Sequence, residues 1–191
     1  MREVILTVGT RAAGKSTFCK GVTEFDPSIT MVSRDAILMS MFGKTSLDSY
    51  SGGHEYAAER MWEAVQKQLE PRDARMILDT WNGDGRSRRW IIQKLRKLGA
   101  NRVVAWYFIT PVEVVEQWFW QKPDIAKFGE MGTTTGVERT YYFEDAPRRD
   151  HEMYHSRATD IDQDGFDRIT RINPLFAKPR DLFPFQTSFS F

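Results

Sequence analysis

One cysteine, Cys19, is all the sequence carries in 191 residues. No internal disulfide can form, and a reducing compartment fits; within a helical stretch the thiol is expected to pack in the core. Net charge is nearly absent as well, since 27 basic and 26 acidic residues leave +1. No global field attracts a polyanion, so any nucleic-acid contact has to come from local patches. Long apolar runs are missing: the longest, Val103 to Ile109, is far too short to cross a bilayer. The first residues read as a strand rather than a leader, so a cytoplasmic protein with no membrane partner is expected. His54, His151 and His155 stand at no metal-ligand spacing with cysteine or carboxylates, which argues against zinc. What is present is ordinary for a globular chain, 41% hydrophobic and 28% charged, and long enough to bury a core.

Apolar runs of strand length alternate with helical patterns, which predicts an α/β fold. The expected form is a doubly wound parallel five-stranded sheet with helices on both faces. Strands are expected over about 3–8, 30–32, 75–79, 103–109 and 168–172. Helices are expected over about 15–22, 35–42, 57–69, 87–98, from Pro111 onward, and 147–157. Residues 1–174 read as one domain, with a mobile, glycine-rich lid over about 122–146. Residues 175–191 form a phenylalanine-rich tail, a possible contact for a partner chain; the oligomeric state is left open.

The first strand ends in chemistry. Val4 to Val8 is followed by Gly9, then Thr10-Arg11-Ala12-Ala13, then Gly14-Lys15-Ser16-Thr17, which is G-x-x-x-x-G-K-[ST] between a strand and a helix. Glycines at both ends let the backbone turn tightly and bring its N–H groups to phosphate oxygens. Lys15 places a positive charge on the β- and γ-phosphates, and the Ser16 hydroxyl can join the shell of a Mg²⁺ ion. The start of the helix adds its own partial positive charge. A nucleoside triphosphate is the expected ligand.

Two further blocks follow at the carboxyl ends of neighbouring strands, which in a doubly wound sheet open on one crevice. Ser33-Arg34-Asp35 comes after the second strand; Asp35 can act as general base for an attacking hydroxyl, or simply cap the next helix. Asp79, in Ile77-Leu78-Asp79-Thr80, can hold Mg²⁺ or merely form a turn.

Together these blocks and their spacings resemble the kinase half of phage-type polynucleotide 5′-hydroxyl kinases. The resemblance covers about residues 1–110, and more loosely 160–174, where Asp164-Gly165-Phe166-Asp167 leads to Asn173 on the nucleobase side. It implies ATP and Mg²⁺ as cofactors, Lys15 and Ser16 on phosphates and metal, and Asp35 as the base. The sequence departs from the family in three places. Arg11 stands where the family has proline, followed by Ala12-Ala13; the segment after the fourth strand ends Trp118-Phe119-Trp120-Gln121-Lys122 without the lid arginine; and Trp81-Asn82-Gly83 follows Asp79-Thr80. A cation must still balance the transferring phosphoryl group. Arg148 and Arg149 are the preferred candidates, with Arg139 and Lys122 as alternatives.

A nucleic acid, DNA in preference to RNA, is the expected partner. Arg86-Ser87-Arg88-Arg89 with Lys94, Arg96 and Lys97 puts positive charge on one helix, a pattern that serves phosphate contacts or a solvated face equally well. Arg86 and Arg89 lie nearest the crevice. Tyr50, Trp81, Trp118 and Trp120 could stack on bases or belong to the core, with Trp81 the foremost. The leading acceptor is a 5′-OH end. Alternatives are 5-hydroxymethyluracil in phage DNA, a small metabolite or nucleotide, and a non-catalytic nucleotide-dependent binding module.

Overall fold

The computed structural model describes residues 1–45, 47, 51–130, 139–158 and 161–182, the side chains of 157 and 158 excepted. Tyr50, the Gly132–Gly136 part of the expected lid and the tail from residue 183 onward lie outside the described residues. In chain order the elements are β1 (Glu3–Val8), α1 (Lys15–Phe25), β2 (Thr30–Ser33), α2 (Arg34–Phe42), α3 (Gly53–Gln68), β3 (Arg75–Asp79) and α4 (Gly85–Lys97). They continue with β4 (Arg102–Phe108), α5 (Val112–Trp120), β5 (Ile125–Lys127), β6 (Thr140–Tyr142), α6 (Ala146–Ala158) and β7 (Arg168–Ile172).

The main sheet has five parallel strands in the order β2-β3-β1-β4-β7. β1 lies at its centre, buried along its whole length, which is why its sequence is an unbroken apolar run apart from Glu3 and Thr7. Alternate residues face opposite layers. Val4, Leu6 and Val8 pack with Met61 and Val65 of α3 and Ile91, Ile92 and Leu95 of α4. Ile5 faces the other way, against Phe18, Cys19 and Val22 of α1, with Trp106 and Phe108 of β4. Burial among these side chains pushes the Cys19 thiol pKa up, with the Asp79 carboxylate adding to it, so this cysteine is an inert packing group. The crossing from β1 to its two neighbours is where strand order reverses, and ligands of open α/β sheets bind at that point.

Differences from expectation are local. α1 continues to Phe25, and Asp84 starts α4 earlier by accepting from the Ser87 N–H at 2.8 Å. In the weakly patterned stretch after α5, β5 and β6 pair in parallel with Ile125 opposite Thr140. Strands of three residues are too short for a period of two to register in the sequence. Among the described residues no helix is long and apolar enough to span a membrane.

Candidate active site

A cavity of about 1120 Å³ opens at the carboxyl ends of β1, β2 and β3. Its floor is the loop from Gly9 to Thr17, all of which lines it. Two glycines are required there. A side chain at Gly14, which sits at φ 80°, would meet the Trp118 ring at 2.9 Å, and one at Gly9 would meet Phe108 Cβ at 3.0 Å. Between them Ala12 takes the left-handed conformation at φ 59°, the strained turn of the loop.

The Lys15 ammonium folds back into this loop and donates to the carbonyls of Gly9 (2.9 Å) and Thr10 (2.8 Å). Burial pushes its pKa down from the ordinary lysine value; Asp79 and Asp35 oppose that shift and Lys122 adds to it. All four groups therefore share one electrostatic neighbourhood. Asp79 is buried and fully engaged: Oδ1 accepts from Thr7 Oγ1 at 2.7 Å, and Oδ2 accepts from Ser16 Oγ at 2.9 Å. A hydroxyl beside a carboxylate is an oxygen-only donor pair. It fits Mg²⁺, which takes one or two protein oxygens and completes its shell with phosphate oxygens and water. Among the described residues no group of three or more His, Cys, Asp or Glu is placed to hold a metal by itself, in keeping with so open a shell.

Ser33, not Asp35, caps α2: its hydroxyl oxygen accepts from the Ala36 N–H at 3.3 Å. That leaves the Asp35 carboxylate, 63% exposed, on the cavity wall beside the Arg34 guanidinium at 3.5 Å. Trp81 also lines the cavity; its indole lies over the Gly83 backbone and stays 51% exposed.

Five of the foremost candidates from sequence do not line the cavity, nor do the alternatives Arg139 and Trp120. Arg148 is held by a two-point pair with Glu116 of α5 (3.1 and 2.7 Å), and Arg149 by Asp145 one turn earlier (3.0 Å). Helical geometry points both along the α6 surface. Arg89 pairs with Asp164 at 2.9 Å, and Arg86 is exposed on α4 without lining the cavity. Asn173 closes the turn after β7, accepting from Leu175, Phe176 and Ala177 N–H groups, and it is the next residue, Pro174, that touches the cavity. Of the alternative cations, Lys122 lines the cavity.

Sequence reasoning missed the polar struts beneath the loop. The Tyr154 hydroxyl on α6 accepts from the Gly9 N–H (2.8 Å) and donates to Asn82 Oδ1 (2.8 Å). Asn82 Nδ2 in turn donates to the carbonyls of Thr7 (2.6 Å) and Thr80 (3.0 Å). Burial raises the Tyr154 pKa, so the phenol stays protonated and can donate. Behind Asn82 lies a wholly buried ion pair, Arg88 with Asp164. No local motif marks these residues, because their partners are some seventy or more positions away; only the odd arginine in the apolar phase of α4 was a signal.

A phosphate loop at the switch point of a parallel sheet, with a hydroxyl–carboxylate pair beside it, defines a P-loop kinase-like domain. Residues 4–131 match the model of the AAA domain family AAA_33, and the chain belongs to that family. Curated proteins include no significant match to it. Among solved structures, a proposed kinase of Chloroflexus aurantiacus superposes with a TM-score of 0.65 at 13% identity, covering 95% of this chain and 94% of that one. Shikimate kinase of Acinetobacter baumannii gives 0.54 at 16% identity, covering 95% and 88%. A fungal RNA kinase gives 0.52 at 16% identity, covering 94% and 79%. At these identities the likeness is one of fold.

Proposed function

We propose that this protein is an ATP-dependent kinase that phosphorylates a hydroxyl group of a nucleic acid, in the first place a 5′-OH end. One observation carries the reading: the Asp35 carboxylate, not used as a helix cap, lines the same cavity as Lys15, and its charge is felt there. Asp35 accepts the proton of the attacking hydroxyl. The acceptor oxygen then bonds to the γ-phosphorus as the bond to the β–γ bridging oxygen breaks, and ADP leaves with that electron pair. The loop N–H groups and Lys15 hold the triphosphate. Ser16 and Asp79 would hold Mg²⁺, which when bound neutralises phosphate charge.

The cavity is wide for a nucleoside triphosphate alone, and Trp81 offers a base an exposed aromatic face beside Asp35. The same face favours a second acceptor, the hydroxymethyl group of a modified uracil turned out of the duplex. Incubation with γ-labelled ATP and either 5′-OH oligonucleotides or hydroxymethyluracil DNA separates the two. Label at chain ends is expected, and label on internal bases selects the second. Tight ATP binding with transfer to neither polymer would sink the nucleic-acid reading.

A further inference from the structure

We propose that Arg11, carried by the phosphate loop itself, is the catalytic cation that balances charge on the transferring phosphoryl group. The proposal rests on the kinase reading above. An arginine supplied to the transition state of P-loop GTPases is worth about 10³–10⁵ in rate, and a guanidinium here would balance charge in the same way.

Among the described residues the lysines and arginines lining the cavity are Arg11, Lys15, Arg34 and Lys122. Lys15 is folded onto the loop carbonyls, and Arg34 sits beside Asp35 at the acceptor end. Arg148 and Arg149 of α6 do not line it and pair on the helix surface with Glu116 and Asp145. That leaves Arg11 and Lys122, and three features favour Arg11.

First, its backbone is fixed on both sides. The Gly9 N–H is tied to Tyr154, and the Ala13 carbonyl accepts from Thr110 Oγ1 at 2.8 Å. Freedom at this position therefore lies in the side chain. Second, the guanidinium rests along the cavity wall, where Nη1 donates to the Tyr142 hydroxyl at 2.8 Å and Nη2 pairs with Asp150 at 3.2 Å. Both partners line the cavity, and the ion pair is water-exposed, with Arg11 45% accessible, so it is weak. A triphosphate in the same cavity carries several charges against the single one of Asp150, and it draws the group across. Third, the planar fork holds two phosphate oxygens in one fixed bidentate geometry, whereas the ammonium of Lys122 is a point charge with freely rotating donors.

In the transfer step Arg11 gives up no proton. As the bond from the γ-phosphorus to the bridging oxygen breaks and the acceptor oxygen bonds in its place, the guanidinium donates hydrogen bonds to the oxygens where negative charge gathers. The acceptor's proton still goes to Asp35.

The test uses the full chain, calorimetric binding of ATP and of ADP with aluminium fluoride, and phosphoryl transfer to the acceptor found active above. For Arg11→Ala, ATP affinity is expected to stay within about threefold of wild type while transfer falls about 10³-fold and the fluoride complex weakens about 100-fold or more. Free guanidinium should restore part of the transfer, whereas Arg11→Lys should not match wild type. The proposal is overturned if Arg11→Ala keeps its transfer rate, if ATP and fluoride affinities fall equally, or if Lys122→Ala rather than Arg11→Ala shows the selective loss. Wild-type protein that binds ATP, transfers to no acceptor and forms no fluoride complex removes the kinase reading, and this assignment with it.

Discussion

The two ends of the cavity are built differently. At the phosphate-loop end Lys15 is held by two carbonyls, Asp79 by two hydroxyls, and the Gly9 N–H by a phenol that is itself held by Asn82. At the end proposed for the acceptor, Asp35 has among the described residues one loose ion-pair partner at 3.5 Å, and Trp81 projects from a turn. A triphosphate presents the same oxygens in every kinase, so its cradle can be rigid and made largely of backbone. An acceptor differs between kinases, and its contacts are side chains on loops, free to change without disturbing the sheet.

Four substitutions or conditions test this contrast. Lys15→Ala should act on both binding and turnover, lowering ATP affinity and abolishing detectable transfer; calorimetry beside a transfer assay reads both. Asp35→Ala should instead lower turnover by about 10²–10⁴ while ATP affinity hardly moves. If ATP binding fell as far as turnover, the two ends would not be separable. Breaking the buried pair by Asp164→Ala removes the counter-charge of the buried Arg88 and should cost about 3–5 kcal/mol in urea unfolding, far more than a surface ion pair. The smallest effect concerns the mounting of α6. His155 lies 2.9 Å from the Tyr107 hydroxyl and its ring centre 4.1 Å from that of His151, and burial, then His151, push its pKa below the usual 6.5. Because the folded ring resists protonation, this contribution is complete above pH 6.5 and lost as the pH falls from there through the lower folded value. Thermal melts at pH 7.5 and 5.5 should differ in that direction, and His155→Gln should shrink the difference.

Legibility from sequence followed the same division. The central strand and the loop were readable because an apolar run and glycine spacing are local signals, and the fifth strand of the main sheet because a turn over residues 162–165 precedes it. So was the grouping of Asp35 and Asp79 with the loop, since parallel strands bring their carboxyl ends together. The pairing of Arg148 with Glu116 and Arg149 with Asp145 was hidden for want of a rotational phase, since a helix position says little about which neighbour a long side chain meets. Asn82 and Tyr154 read as unremarkable polar and aromatic residues, since their meaning comes only from chain closure over long separations. The capping choice at α2 hinged on a single rotamer of Ser33, which no pattern encodes.

Tyr154 has a consequence for the order in which the molecule becomes competent. The family match ends at residue 131, yet the acceptor that secures the first amide of the loop arrives on a helix beginning at Ala146. A nascent or truncated chain lacking that helix would contain the whole signature motif and still leave the amide unanswered. The support of the loop's first amide thus comes late in the chain, from a segment that carries no hallmark of its own.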